Sequence, residues 1–338
     1  MQIVNGVPRA SQRLRQLWAV VLPVPWLLIR VHASDDSVRF AATVWILNAT
    51  GARFPMSLET VNVGPFEIEV SGNHIYLYPH LPSTYDYVPW NVIHHIIAKA
   101  NLFGATLIDV GANVGDTLAH FRRFSEAPVL CVEPAQNFYD ILERNSQQFS
   151  NVTLIKKLVV PDDLVGRVSF LSGEQTGASK ASSEGDVSWA GEYTTFTELF
   201  SSGAGPFIIK SDTDGFDANI IGSALPHISA GSADVPIIFF EGPSEDQMRN
   251  GDYLDYIDLC QDLIDLGYSL LTLTNIGMPY AFSDTKISIT AVFEALGAGY
   301  RKGLPLCHYY DFIAIQNKYV SDEVSLCSPW GGEFFERS

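Results

Sequence analysis

Lys210, Asp212, Asp214 and Asp217 fall within the eight residues KSDTDGFD, directly after the apolar run PFII. Glu241 ends a second apolar run, PIIFFE. A carboxylate beside an ammonium group can take a proton from a weak nucleophile. On that reading Asp212 is the general base, and Lys210 keeps a nearby carboxylate ionised. The same residues support a second chemistry, in which Asp212, Asp214 and Glu241 form an oxygen-rich set for a divalent ion such as magnesium. A purely structural role competes with both: Asp214 and Asp217 would complement the start of a following helix, an argument stronger for Asp217 than for Asp212. Histidines are the other candidate bases. His94 and His95 lie in a helical stretch, where packing is the commoner role, and His308 precedes the final strand as a second choice.

A second stretch, TLIDVGANVGDT from Thr106 to Thr117, decides what those groups act on. An apolar strand ends at Asp109, and two glycines follow four residues apart. Gly111 lets a tight turn close, Gly115 lets the next helix approach, and Asn113 tolerates a left-handed backbone. No lysine follows Gly115, so the phosphate loop of an NTPase is disfavoured. A dinucleotide fingerprint needs glycine at position 113, and Asp116 would repel a pyrophosphate at the helix start. A ligand with a ribose, a positive sulfonium and no phosphate escapes both objections, which points to S-adenosylmethionine. Glu133, at the end of VLCVE, stands where an acid can accept from both ribose hydroxyls. Its competing role is a helix-capping acid before Pro134.

These residues need a frame to hold them. The chain has 338 residues, nearly half of them apolar, and a formal net charge of -17. That charge disfavours a nucleic-acid partner. Cys131, Cys260, Cys307 and Cys327 form no CxxC pair and no zinc spacing, which suggests reduced thiols and a cytoplasmic location. Leu17 to Ile29 is apolar, too short to span a bilayer, and broken by Pro23 and Pro25. Arginines flank it, so residues 9–30 offer a peripheral membrane contact, although packing on the domain is preferred. Val31-His32-Ala33 loosely resembles a signal cleavage site and keeps secretion open.

The pattern divides into an N-terminal extension, residues 1–80, and a larger domain, residues 81–338. Within the extension FEIEV alternates, SGN turns and HIYLY returns, which predicts a β-ribbon. From residue 81 apolar strands alternate with helices, as in a mostly parallel sheet covered on both faces. Helices are expected over 88–100, 116–124, 138–149, 194–201, 218–228 and 253–266. No clear helix separates the last two strands, YSLLTLT and YDFIAI, so that pair is expected to be antiparallel. Residues 172–193 and 276–306 are expected to form a lid over the acceptor.

Taken in order, LIDVGANVGDT, VEPAQNFYDILERN, NVTLIKKLVVPDDLVGRVSF, TGAS, TTFTELF, IIKSDTDGFDANIIGSA and PIIFFEG resemble the FkbM-type methyltransferases. These form a branch of the class I S-adenosylmethionine-dependent fold. The resemblance covers residues 105–242. One position departs: Asp214 stands where the family's KxDxEG stretch has glutamate. The resemblance implies a Rossmann-like, doubly wound, seven-stranded α/β sheet with an antiparallel last strand. It also implies methyl transfer to a hydroxyl of a sugar, glycan or polyketide-like acceptor. By analogy, Asp109, Gly111, Asn113, Gly115, Asp116 and Thr117 surround the methionine part of the cofactor. Glu133 holds the ribose with Asn137 beside it, and Leu158 and Val159 line the adenine. Two other functions compete: a methyltransferase-like binding scaffold without turnover, and an NAD-linked oxidoreductase of the same sheet type.

Overall fold

A computed structural model describes residues 58–71, 87–171, 180–182, 191–274, 277, 279–303 and 309–319. All of these belong to one compact unit, Met56–Ser338. The apolar segment at 9–30, the HIYLY stretch, His308, Cys307 and Cys327 lie outside the described residues.

A hairpin comes first. Strands β1 (Leu58–Val63) and β2 (Phe66–Ser71) pair antiparallel around Gly64-Pro65, with Gly64 at φ 59. FEIEV is therefore a ribbon strand as expected, and among the described residues its partner is LETVNV on its N-terminal side; the expected partner HIYLY lies outside them. The alternation could not reveal this, because LETVNV is exposed over most of its length and lacks an apolar stripe. Val63, Ile68 and Val70 turn inward against Val114, Ala119, Phe138 and Ile141, so the hairpin shares a core with the glycine stretch.

The central sheet follows. Strand β3 (Thr106–Val110) lies at its middle, β4 (Val129–Val132) and β5 (Val152–Ile155) extend it one way, and β10 (Phe207–Ser211) and β11 (Ile237–Glu241) extend it the other. All five are parallel. Strand β14 (Tyr310–Gln316) pairs antiparallel with β11, as expected of the last strand. Strand β12 (Tyr268–Thr274) adds beyond it, and β13 (Pro279–Ser283) forms the edge. The order β13-β12-β14-β11-β10-β3-β4-β5 makes this a Rossmann-like, mostly parallel α/β sheet of eight strands, one more than the seven expected. The extra strand, PYAFS, begins with proline and is largely exposed, so it carries neither alternation nor a buried run. Leu107 and Ile208 face one core, and Ile108 and Ile209 face the other, so both sides of the sheet are covered. Two short pairs lie apart from it: β6 (Leu158–Val159) with β9 (Tyr193–Thr194), and β7 (Ser169–Leu171) with β8 (Lys180–Ser182).

Helices connect the strands: α1 (Tyr87–Ala100), α2 (Asp116–Arg122), α3 (Gln136–Ser146), α4 (Phe196–Ser202), α5 (Asp217–Ser229), α6 (Glu245–Asn250), α7 (Leu254–Asp265) and α8 (Lys286–Arg301). Two of these are corrections. The short α6 has no sequence-based counterpart, although Ser244 and Gln247 close a capping box over it. The long α8 occupies the stretch expected to be an acceptor lid. Its threonine, isoleucines, valine and two glycines are poor helix formers. Ile289, Phe293, Leu296 and Tyr300 nevertheless recur on one buried face, behind a Thr285–Ser288 capping box. This segment is core rather than lid. Of the other expected lid, 172–193, residues 180–182 and 193 are strand. Among the described residues no helix is long and apolar enough to cross a membrane.

The chain runs outward from β3 through β4 and β5, then returns to β10 on the other side. Neighbouring strands β3 and β10 thus define the reversal point, where open parallel sheets leave a crevice at their carboxyl ends.

Candidate functional site

Gly111 and Ala112 both donate to the carbonyl of Val132 at 3.0 Å, folding the chain sharply over the end of β4. Gly111 has φ 74, and a β-carbon there would stand 2.1 Å from the carbonyl oxygen of Asp212. Only glycine lets the two loops touch. Asn113 takes the left-handed conformation at φ 48, as its type suggested. Gly115, at φ 91, caps α2, and a β-carbon there would press Leu142 at 2.9 Å. The two glycines thus do the closing and approaching expected of them.

Glu133 is held at the end of β4 by two amides. Asn113 donates to Oε2 at 2.9 Å and Ala135 donates to Oε1 at 2.7 Å. The side chain is 5% exposed. Burial raises its pKa to about 7, against the pull of the two amides. Each oxygen keeps a second lone pair.

Behind the loop, Asp109 is fully buried. Its countercharge is Lys210 on β10, 3.4 Å away. Burial outweighs that attraction and pushes the Asp109 carboxyl up to about 6. Lys210 donates to the carbonyl of Gly111 at 3.2 Å and stands 3.6 Å from Asp212. This lysine therefore ties both loops and lies between two carboxylates.

The turn after β10 carries the remaining acids. Asp214 adopts φ 54, and Asp212 is half exposed. Asp217 is buried, accepting from Ser211 Oγ at 2.6 Å and from the Thr213 amide at 3.3 Å. It braces the turn before α5 through these two contacts; the α5 cap residue, Phe216, makes no side-chain cap. Burial raises Asp217 to about 6. Oxygens of Asp212, Asp214 and Glu241 all lie within 4.8 Å of one another. Glu241 is pushed well above the usual carboxylate range, first by burial and then by Asp212, Asp217, Asp214 and Asp311.

One cavity is lined by Gly111, Asn113, Glu133, Leu158 and Val159, expected around the cofactor, and by Asp212 and Asp214, expected in the catalytic or cation-binding set. The buried Asn113 Oδ1 at this cavity has no hydrogen-bond partner among the described residues. Asp116 and Thr117 are buried in the first turn of α2, where Asp116 Oδ1 accepts from the Thr117 amide. Together with Asp109 and Gly115, they support the loop and do not line the cavity. Asn137 lines an adjoining hollow with Gln136 and Lys156. Lys210, Asp212 and Glu241 line a smaller pocket with Tyr309 and Asp311. His94 stacks on Phe124 at 4.5 Å; neither it nor His95 lines these cavities.

Sequence reasoning missed Phe138, Phe170, Lys157 and Thr213 in the cavity wall, and Asp311 beside Glu241. Phe138 was readable only as part of the helix stripe. Asp311 had no local signal, because it reaches Glu241 by cross-strand pairing of β14 with β11.

No family model and no curated protein matches the chain. Solved structures similar to it include a precorrin-6y methyltransferase from Geobacter metallireducens, at 11% identity and a TM-score of 0.31, covering 64% of this chain and 86% of that one. A plantazolicin methyltransferase in complex with SAH is similar at 10% identity and a TM-score of 0.32, covering 68% and 85%. The 23S rRNA methyltransferase ErmE is similar at 9% identity and a TM-score of 0.32, covering 67% of each chain. The strand order and the closed contact between Gly111 and Asp212 carry the fold and the site independently of these likenesses.

Proposed function

We propose that this protein is an S-adenosylmethionine-dependent O-methyltransferase of FkbM type, acting on a hydroxyl of a sugar, glycan or polyketide-like acceptor. The observation that carries the reading is Glu133: a buried carboxylate, fixed by two amides, in the wall of a cavity at the reversal point of the sheet. Its spare lone pairs suit ribose hydroxyls. Leu158, Val159 and Phe138 supply an apolar wall for a base, and Asn113 Oδ1 has hydrogen-bonding capacity to spare. Asp109 and Asp116 near the loop favour a cationic ligand over a pyrophosphate.

When bound, the cofactor supplies an electrophilic methyl group. This chain's residues must then orient an acceptor hydroxyl, exclude water and take its proton. Asp212 is the proposed base. It is exposed enough to meet an acceptor, and the Lys210 ammonium group stands 3.6 Å from its carboxylate. Lys210 keeps its own place through Gly111 and Asp109. The bound cofactor would give up its methyl by breaking the methyl–sulfur bond and leave as a neutral thioether, and the Asp212 carboxylate would take the proton of the acceptor hydroxyl as that oxygen is methylated. The polar pocket of Lys210, Asp212, Glu241, Tyr309 and Asp311 suits a polyhydroxylated acceptor.

A second reading of the acidic cluster rests on the mutual 4.8 Å spacing of Asp212, Asp214 and Glu241. Such an oxygen-only set suits a hard divalent cation, which would lower the pKa of the acceptor hydroxyl. Asp214, one methylene shorter than the family's glutamate, would be one of its ligands.

Calorimetric titration with S-adenosylhomocysteine, with NAD in parallel, tests the cofactor. Binding of the first alone, lost in Glu133→Ala, supports the reading, whereas binding of NAD alone sinks it. Asp212→Asn should retain that binding and lose turnover by about a hundredfold or more. Near-normal turnover would remove Asp212 as base. If full activity survives EDTA, the cation reading fails and the proton-only reading stands. Cofactor binding without turnover on any hydroxyl acceptor would leave a binding scaffold.

A further inference from the structure

The turn after β10 is held in a costly shape. Asp214 at φ 54 and Gly215 at φ 100 are consecutive left-handed residues. A residue with a side chain persists there only where its surroundings enforce it. At the front of the turn the hold is internal, since Asp217 accepts from the Thr213 amide at 3.3 Å. At the back it comes from another element. Gln247 of α6 donates from Nε2 to the carbonyl of Gly215 at 3.3 Å, and a β-carbon on Gly215 would stand 2.6 Å from Gln247 Oε1. The side-chain amide thus packs directly on the turn.

The other end of that amide serves its own helix. Gln247 Oε1 accepts from the Ser244 amide at 2.8 Å, which closes the capping box of α6. One partner is an N–H and the other a carbonyl, so together they fix which end of the amide is oxygen. Glutamate would serve the capping box equally well. An ionised glutamate has no donor, however, and would set a second oxygen against the Gly215 carbonyl. Glutamine in place of glutamate is therefore explained by the turn and not by the helix cap.

The bridge joins the exits of two neighbouring strands. Ser244 lies just beyond Glu241 of β11, and Gly215 just beyond Asp212 and Asp214 after β10. Asp212, Thr213 and Asp214 wall the cavity proposed for the cofactor. Gln247 lines neither that cavity nor the pocket around Glu241.

We infer that Gln247 is a positioning residue: by joining the Ser244 amide to the Gly215 carbonyl, it sets where the β10 turn presents Asp212 and Asp214. The consequence for the cofactor rests on the function proposed above, whereas the hold on the turn does not.

The test compares two variants of the full chain. Gln247→Glu keeps the helix cap and loses the donor. Gln247→Met is uncharged, similar in size, and loses both contacts. Hydrogen exchange followed by mass spectrometry reads the turn at 213–216 and helix α6 separately. In both variants the turn should exchange about tenfold faster or more, as expected when a part-buried carbonyl gives up its donor. Helix α6 should exchange faster in Gln247→Met alone. S-adenosylhomocysteine should bind both variants about fivefold more weakly or worse, because the cavity wall is in place for a smaller fraction of the time. An unchanged turn in Gln247→Glu would leave Gln247 a helix cap only, and a faster turn in Gln247→Glu alone would make the effect one of charge. Either result overturns the proposal. So does a loosened turn with unchanged affinity for S-adenosylhomocysteine, since the turn would then position nothing. If the wild-type chain does not bind S-adenosylhomocysteine, the proposed function falls, and the exchange rates alone decide whether Gln247 holds the turn.

Discussion

Burial holds the Glu133 carboxyl near pKa 7 although two amides donate to it, and that conflict makes pH a probe of the site. A carboxyl whose folded pKa lies above its ordinary 4.5 favours the folded state most when it is protonated. That contribution is full below about pH 4.5 and is lost as pH rises to about 7. Asp109 and Asp217, raised to about 6, act in the same direction. The ligand-free protein should therefore lose Tm between pH 5 and 8, as scanning calorimetry would read; a rising Tm would mean that these groups are ionised at little cost. The proposed ribose role of Glu133 uses the ionised form, in which both oxygens only accept. S-adenosylhomocysteine should then bind about tenfold more tightly at pH 8 than at pH 6, following ionisation near 7. A flat binding profile would move the ribose away from Glu133. Gly111→Ala is a steric test at the same scale. It places a β-carbon 2.1 Å from the Asp212 carbonyl at φ 74, so the loops must part, at a cost of roughly 2–4 kcal/mol and with loss of cofactor binding.

Among the elements, Asn145 on α3 joins three pieces of chain. Its side chain accepts from the Glu69 amide at 2.7 Å and donates to the carbonyls of Glu69 at 2.8 Å and Val114 at 2.7 Å. Asn145→Leu should cost about 2–4 kcal/mol, since it strands those groups in a buried place. Cofactor affinity should fall with it, because Val114 belongs to the glycine loop; denaturant melts beside ligand titrations would separate the two effects. Helix α8 invites a different test. Phe293 is fully buried and stacks on Phe312 at 5.3 Å, so Phe293→Ala should cost about 3–5 kcal/mol. A mobile lid would give almost no change. These two elements also mark what was legible. Strands β3, β4, β10 and β11 are continuous apolar runs, and the glycine, glutamate and acid motifs sit at their ends, so the site could be read locally. Helix α8 was hidden by its own residue types, strand β13 by its exposure and proline, and Asp311 by a pairing visible only in three dimensions.

Across the Met56–Ser338 unit, the sheet distributes the work. Residues at the carboxyl ends of β3, β4 and β10 meet in one crevice, while α5 and α7 turn their outer faces away from it. Ligand binding in that crevice is therefore linked to the stability of the whole sheet. Ligand at about a hundred times its Kd should add roughly 2.7 kcal/mol. Cys131, on strand β4 and paired across from Asp109 of β3, gives that linkage a chemical clock. Its thiol is fully buried and its pKa is held well above the ordinary range by burial, so it is inert to alkylating reagents until the sheet opens. The rate of Cys131 alkylation, followed by mass spectrometry, then counts openings of that crevice. Each ligand that closes the crevice should slow that clock by the factor one plus its concentration over its Kd, so one native thiol could rank cofactors and acceptors without any assay of turnover.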